Sequence, residues 1–316
     1  TPAVRQYLNQ FLMDPYVIQL PWIFRRLIVS LFVLPSRPKE SSKAYQKVWL
    51  AEGSPLIVLS EKLKQALQAK LSIHVAMAMR YGKPSIESEL LKLNTQNIDE
   101  VIFIPLYPHF ADSTVTTSIE EAKRVIQKHQ LDIKLSCISP FYDDDDYIQS
   151  LVSSAQTYLS QDYDHIVFSY HGLPESHLKK LDTSNSHCLQ QDDCCQKSHE
   201  CHARCYRHQV FQTTQSFADK AGLSEQHYSI AFQSRLGRAK WLGPNTEDII
   251  RNLASSGAKN ILVICPAFVT DCLETLEEIA IRGQEVFSEA GGEKLTLIPC
   301  LNDHPDWVTT LASWCQ

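Results

Sequence analysis

Short apolar runs and amphipathic stretches alternate along this chain. Strand-like runs fall at residues 73–79, 101–106, 133–138, 166–169, 228–232, 261–264 and 295–299. Between most of them lie helical patterns, among them 55–69, 117–129, 147–160, 246–255 and 271–289. Apolar runs bounded by turn signals and separated by helices predict parallel strands buried on both faces. The expected fold is α/β: two doubly wound parallel-sheet lobes with a cleft between them. The polar stretch 141–146 (FYDDDD) divides them. Residues 1–142 form the first lobe and 143–302 the second, and a closing helix at 303–316 crosses back to the first. A doubly wound lobe normally opens with a strand, yet residues 1–12 read as a helix with Pro2 near its first turn. Either a strand precedes Thr1 or this fold opens differently.

The apolar region 16–34 (YVIQLPWIFRRLIVSLFVL) raises a membrane question. Arg25 and Arg26 interrupt it, Pro21 breaks it, and 27–34 is far short of the ~20 residues a span needs. It packs as core, or it forms an apolar lip for a greasy ligand or a membrane surface. With 316 residues, 44% of them hydrophobic and 21% charged, the chain suits a soluble globular protein of about two domains. A formal charge of -6 offers no footprint for nucleic acid. No export signal is visible, which predicts a cytoplasmic protein. In a reducing compartment the ten cysteines are read as metal ligands before disulfides.

Two segments carry candidate chemistry. In HIVFSYHGLP (165–174) a buried-type strand runs into Tyr170, His171 and Gly172 and is stopped by Pro174. Open α/β sheets bind ligands beyond the carboxyl ends of their strands. His171 is therefore expected at the mouth of a crevice, with Gly172 allowing close approach of a substrate to the backbone. The plainer alternative is a satisfied histidine at a strand end. In TDCLETLEEI (270–279), helical spacing puts Asp271, Glu274 and Glu278 on one face. Three such carboxylates suit a hard cation or its displaced protons. The alternative is a capping-box-like start, with Asp271 as N-cap and Glu274 three residues on.

FSYHGLP with the later DCLETLEEI resembles the ferrochelatase family, which inserts ferrous iron into a porphyrin. The likeness extends through DPYVIQLPW (14–22), GSPL (53–56), MRYGKPSI (79–86), IPLYPHFADSTV (104–115) and FQSRLGRAKWLGPNTED (232–248). It implies two Rossmann-like lobes of the chelatase type, and Fe(II) and protoporphyrin IX as substrates in the last step of haem synthesis. It further implies that His171 and Glu274 face each other across the macrocycle, either of them able to meet the metal or accept pyrrole protons. Glu278 and Asp271 would extend the path toward solvent. Arg80, Tyr81 and Ser54 match positions of the propionate pocket, with Tyr107, Ser113 and Thr114 on the next cleft-facing loop. Trp241 would supply a flat wall. Leu20, Trp22 and Ile23 would form the lip, a place for peripheral membrane contact. Some members carry histidine where this chain has Cys272, whose plainer reading is a small buried hydrophobe.

Half of the cysteines fall within an insertion at 186–206: Cys188, Cys194, Cys195, Cys201 and Cys205, interleaved with His187, His199 and His202. The spacing is not that of paired CxxC zinc motifs. Some bacterial members of the resembled family hold a [2Fe–2S] cluster in an internal cysteine-rich segment, and such a cluster takes four thiolates. The resemblance points to Cys188, Cys194, Cys195 and Cys205, with Cys201 spare; zinc is the alternative occupant. A structural or sensing role is expected, because metal insertion transfers no electrons. Other readings stay open: a chelatase for coproporphyrin or another tetrapyrrole, or a two-lobed protein that binds haem or metal without reacting. A redox enzyme is disfavoured by the lack of a Gly-rich dinucleotide fingerprint. The sequence sets no oligomeric state.

Overall fold

The computed structural model describes residues 2–235, 237 and 239–316. Thr1, and Leu236 and Arg238 of the 232–248 motif, lie outside the described residues. Two parallel sheets carry the fold. In the first half, β1 (Glu100–Phe103) pairs with β2 (Lys134–Cys137). In the second, β3 (His165–His171), β4 (Tyr228–Gln233), β5 (Asn260–Ile264) and β6 (Lys294–Leu297) take the order β4-β3-β5-β6. β3 is central, and Ile166 to Tyr170 are all buried, as befits a strand covered on both faces.

The run at 73–79 departs from expectation. It forms no ladder, making only an isolated bridge from Met79 to Ser85. Among the described residues no strand lies beside it. Its backbone is held instead by the Gln68 side chain, which accepts from Val75 N at 2.8 Å and donates to Ile73 O at 2.9 Å. A strand needs a neighbour to satisfy its edge, and a side chain does so here.

The region 271–289 is not one α-helix. Asp271 and Cys272 are non-helical, a short α-turn spans Leu273–Thr275, and a π-helix runs Leu276–Gly283 before α-geometry returns at Gln284–Glu289. π-turns gather at functional sites. Glu277 on this segment is buried and paired with Lys47 at 2.9 Å. That ion pair ties the π-helix to the helix Arg37–Val48 of the first half.

A large core joins Leu63 and Leu67 of the helix Pro55–Lys70 to β3, Trp307 and Leu311. The terminal helix Pro305–Ser313 packs on Pro55–Lys70 and on Asp145–Leu159, so it sits between the halves. The apolar region at the front is part core and part exposed. Leu12, Val29 and Leu34 form a small core of their own, while Trp22, Ile23 and Phe32 are 63%, 64% and 75% exposed. Buried Arg25 closes the bend by donating to the carbonyls of Ile18 and Leu20.

Candidate active site

His171 ends β3 at the carboxyl edge of the sheet, opposite Gln233 of β4. Its Nδ1–H donates to the carbonyl of Gly172 at 2.6 Å. That bond fixes the tautomer and leaves Nε2 with its lone pair. The hydroxyl of buried Tyr206 donates to the backbone carbonyl of His171 at 2.9 Å. Gly172 is required for a different reason from the one its sequence suggests. A Cβ there would lie 2.9 Å from the carbonyl oxygen of Gln233 and 3.2 Å from that of Ser234. The glycine makes room for β4 and Trp241.

Glu274 is the middle residue of the α-turn, and Glu278 lies one π-turn on. His171 and Glu274 both act electrostatically on Glu278, so the three side chains share one locality. Burial raises the Glu278 carboxyl above its ordinary range; Glu274 adds to this, while a hydrogen bond from Ser234 and the charge of Arg282 oppose it. Ser234 Oγ donates to Glu278 at 2.6 Å. Arg282 stands 3.7 Å from Glu278 and 2.7 Å from Glu247, beside a cavity of about 180 Å³ lined also by Gln233, Ser234 and Asn245. This chamber admits water or an ion, not a macrocycle.

Asp271 does not join that line. It precedes the helix, and its oxygens accept from Thr275 Oγ1 at 2.9 Å and Asn302 Nδ2 at 2.8 Å, with Cys300 N at 3.3 Å. Its carboxylate pins the start of the turn. The N-cap is Cys272, not Asp271. The Cys272 thiol is buried, with its ionisation pushed up by burial and by Glu274, to which it hydrogen-bonds.

Several residues of this locality carry no sequence signal of their own. Buried Gln233 donates to the carbonyl of Glu274 at 2.8 Å and accepts from Ser169 Oγ at 2.7 Å, locking β3, β4 and the acidic turn together. Its position as last residue of β4, in register with His171, was the available clue. Tyr7 and Tyr45, from the first-half helices Pro2–Leu12 and Arg37–Val48, lie close enough to Glu274 for its charge to raise their hydroxyl pKa values, on top of burial.

The expected propionate partners divide. Arg80 Nη2 binds Asp14 at 2.6 Å, Tyr81 donates to the same oxygen at 2.8 Å, and Thr117 does so at 2.6 Å. Arg80 Nε is taken by Thr117. Asp14 is 4% exposed, so an unpaired charge there would be costly. Arg80 therefore neutralises Asp14 and, with Tyr81, braces the front loop. Ser54 precedes the helix Pro55–Lys70 without a side-chain capping bond. Ser113 and Thr114 lie in the π-turn Asp112–Thr116, Thr114 donating to Ala111 O at 3.3 Å. Burial raises the Tyr107 hydroxyl pKa, while a hydrogen bond with Ser118 lowers it. Trp241 bridges to Pro174 and lies against Gly172, beside His171. Leu20, Trp22 and Ile23 are exposed on the front helix and the loop before it.

The insertion brings its cysteines together. Cys188, Cys194, Cys195, Cys201 and Cys205 are all buried. The Cys205 thiol hydrogen-bonds with those of Cys188 and Cys195, which lowers its pKa and raises theirs. Arg207 donates toward the sulfurs of Cys195 at 3.3 Å and Cys194 at 3.6 Å. Asp182 organises the loop by accepting from the backbone of Ser184, His187 and Cys188. Four buried thiols, two of them within reach of the Arg207 guanidinium, fit an iron–sulfur cluster.

Two solved structures share the architecture: SirB from Bacillus subtilis with Fe3+ (TM-score 0.54, 13% identity, 80% of this chain and 86% of that one) and the sirohydrochlorin chelatase SirB from B. subtilis subspecies spizizenii in complex with cobalt (TM-score 0.55, 12% identity, 84% and 89%). The chain thus shares the α/β fold of these two structures. The ferrochelatase family model matches residues 1–316. Ferrochelatases of Pseudomonas fluorescens strain SBW25 and Stutzerimonas stutzeri strain A1501 are 56% and 54% identical over 315 residues, 99% of this chain and 92% of each relative. The chain belongs to the ferrochelatase family.

Proposed function

We propose that this lyase inserts Fe(II) into protoporphyrin IX, forming protohaem and releasing two protons. The observation that carries the reading is the pairing of an imidazole, its Nε2 lone pair left open by the Nδ1–Gly172 bond, with carboxylates at Glu274 and Glu278. An imidazole in this tautomer accepts a pyrrole proton or meets the metal. Glu274 takes the opposite side. Glu278, the 180 Å³ chamber and the Arg282–Glu247 pair lead from Glu274 toward solvent. The exposed front residues Leu20, Trp22 and Ile23 line the mouth through which an apolar macrocycle enters, with Trp241 beside His171 as a wall. The same lip suits peripheral contact with a bilayer from the cytoplasmic side. No helix among the described residues is long and apolar enough to cross one.

Cys188, Cys194, Cys195 and Cys205 would hold a [2Fe–2S] cluster. It would supply thiolate–iron cross-links to a segment that has little apolar core, and no electron for the insertion.

Anaerobic Fe(II) added to freshly purified protein with protoporphyrin, and in parallel with coproporphyrin, tests both readings. Haem formed from protoporphyrin by a brown protein is the expected result. Turnover of coproporphyrin alone would overturn the substrate, and a colourless protein the cluster.

A further inference from the structure

Cys201 is what the four-thiol set leaves over, and the structure does not leave it idle. Its sulfur and the ring nitrogens of His187 and His202 lie within 4.8 Å of one another, and a second such group joins Cys201 with His199 and Asp182. Cys201 and His187 are 8% and 7% exposed. The Nε2–H groups of His187 and His202 both donate to the carbonyl of Cys194, at 2.7 and 2.8 Å. Ligating histidines commonly hold one ring nitrogen on a carbonyl in this manner and keep the other for a metal. The His187 and His199 rings stack at 4.0 Å, which fixes their planes. Asp182 is less available, since backbone donors already hold it.

We propose that Cys201, His187 and His202 form a second, mononuclear site for a borderline-soft divalent ion of the zinc class, separate from the four-thiol nest. One thiolate and two imidazoles are a zinc donor set, with His199 or a water as fourth ligand. Bonds of about 2.0–2.3 Å to such an ion require these donors to close in by about 1 Å, within reach of side-chain rotation. Binding displaces the Cys201 thiol proton to solvent. The proposal rests on the reading that the other four cysteines hold the cluster. The ion would fasten the second half of the insertion to the carbonyl of Cys194, adjoining the nest.

Co(II) added to the brown, cluster-loaded protein tests this. Cobalt–thiolate charge-transfer absorption saturating at one equivalent is expected. Cys201→Ser and, independently, His202→Gln should abolish that absorption while leaving the iron–sulfur spectrum and haem formation unchanged. Full cobalt–thiolate absorption in both variants overturns the site. So does loss of the iron–sulfur spectrum in Cys201→Ser, which would make Cys201 a cluster ligand. A protein colourless in every form, yet losing its cobalt–thiolate absorption in both variants, removes the cluster reading and retains this one.

Discussion

The proposed reaction site and the thiol nest are joined by one short segment, from His171 to Cys205, and they are assembled by opposite means. The proposed site draws His171 from β3, Gln233 and Ser234 from the last residue of β4 and the one after it, Glu274 from the α-turn and Glu278 from the π-helix after β5, and tyrosines from the first half. The nest draws its five cysteines from 18 consecutive residues, 188–205. In the first, sheet register sets the geometry. In the second, a loop wound about Asp182 sets it locally. Tyr206 is a direct link between them: it follows Cys205 and donates to the carbonyl of His171. The contrast teaches that damage to one site should spare the other except through this hydroxyl.

The largest effect expected is at the proposed reaction site. His171→Ala or Glu274→Gln should lower haem formation about 10²- to 10⁴-fold, the range for lost acid–base groups, while the iron–sulfur spectrum persists. Steady-state rates and visible spectra of the same samples check this; loss of the spectrum in either variant would break the separation. Gly172→Ala comes next. A Cβ 2.9 Å from the Gln233 carbonyl oxygen must push β4 aside, lowering stability by about 1–3 kcal/mol. A shift of the denaturation midpoint, with a fall in kcat because Gln233 also positions Glu274, is the expected outcome.

A third effect is acid sensitivity at the seam. His109 is buried, bonded to Thr213 at 2.9 Å and set edge-on to Tyr170 and Tyr206. Burial depresses its pKa from 6.5 to about 3. The unfolded chain then binds more protons than the folded one between these values, so the contribution is complete above 6.5 and is lost as pH falls. The slope is about 1.4 kcal/mol per pH unit. Urea midpoints at pH 7 and pH 5 should differ less in His109→Gln than in the wild type. The smallest effect is the most pointed. Tyr206→Phe removes one hydrogen bond, worth about 1 kcal/mol. It should lower kcat several-fold with porphyrin KM unchanged and the cluster intact. Unaltered kcat would mean that the two sites are independent.

The parts legible in the sequence were those with local causes. Period and turn signals located β1 to β6 and several of the helices, because each strand's apolar run is written in its own residues. The cysteine crowding was legible for the same reason. The 73–79 run misled because strand identity also needs a partner. The engagement of Arg80 and Tyr81 with Asp14 was not legible, because that acceptor lies more than 60 residues away. A helical wheel put Asp271 beside Glu274, yet the helix starts two residues later.

By itself, then, the sequence determined alternation, the identity of the reactive groups, and a family likeness strong enough to imply the reaction. Only the tertiary structure decided which groups are engaged inward and which remain open. It turned the His171 ring onto its neighbouring carbonyl, set Asp271 against Asn302, and gave Cys201 two histidines. The physical reason is that hydrogen-bond partners are allotted by proximity in space, which periodicity along a chain does not encode.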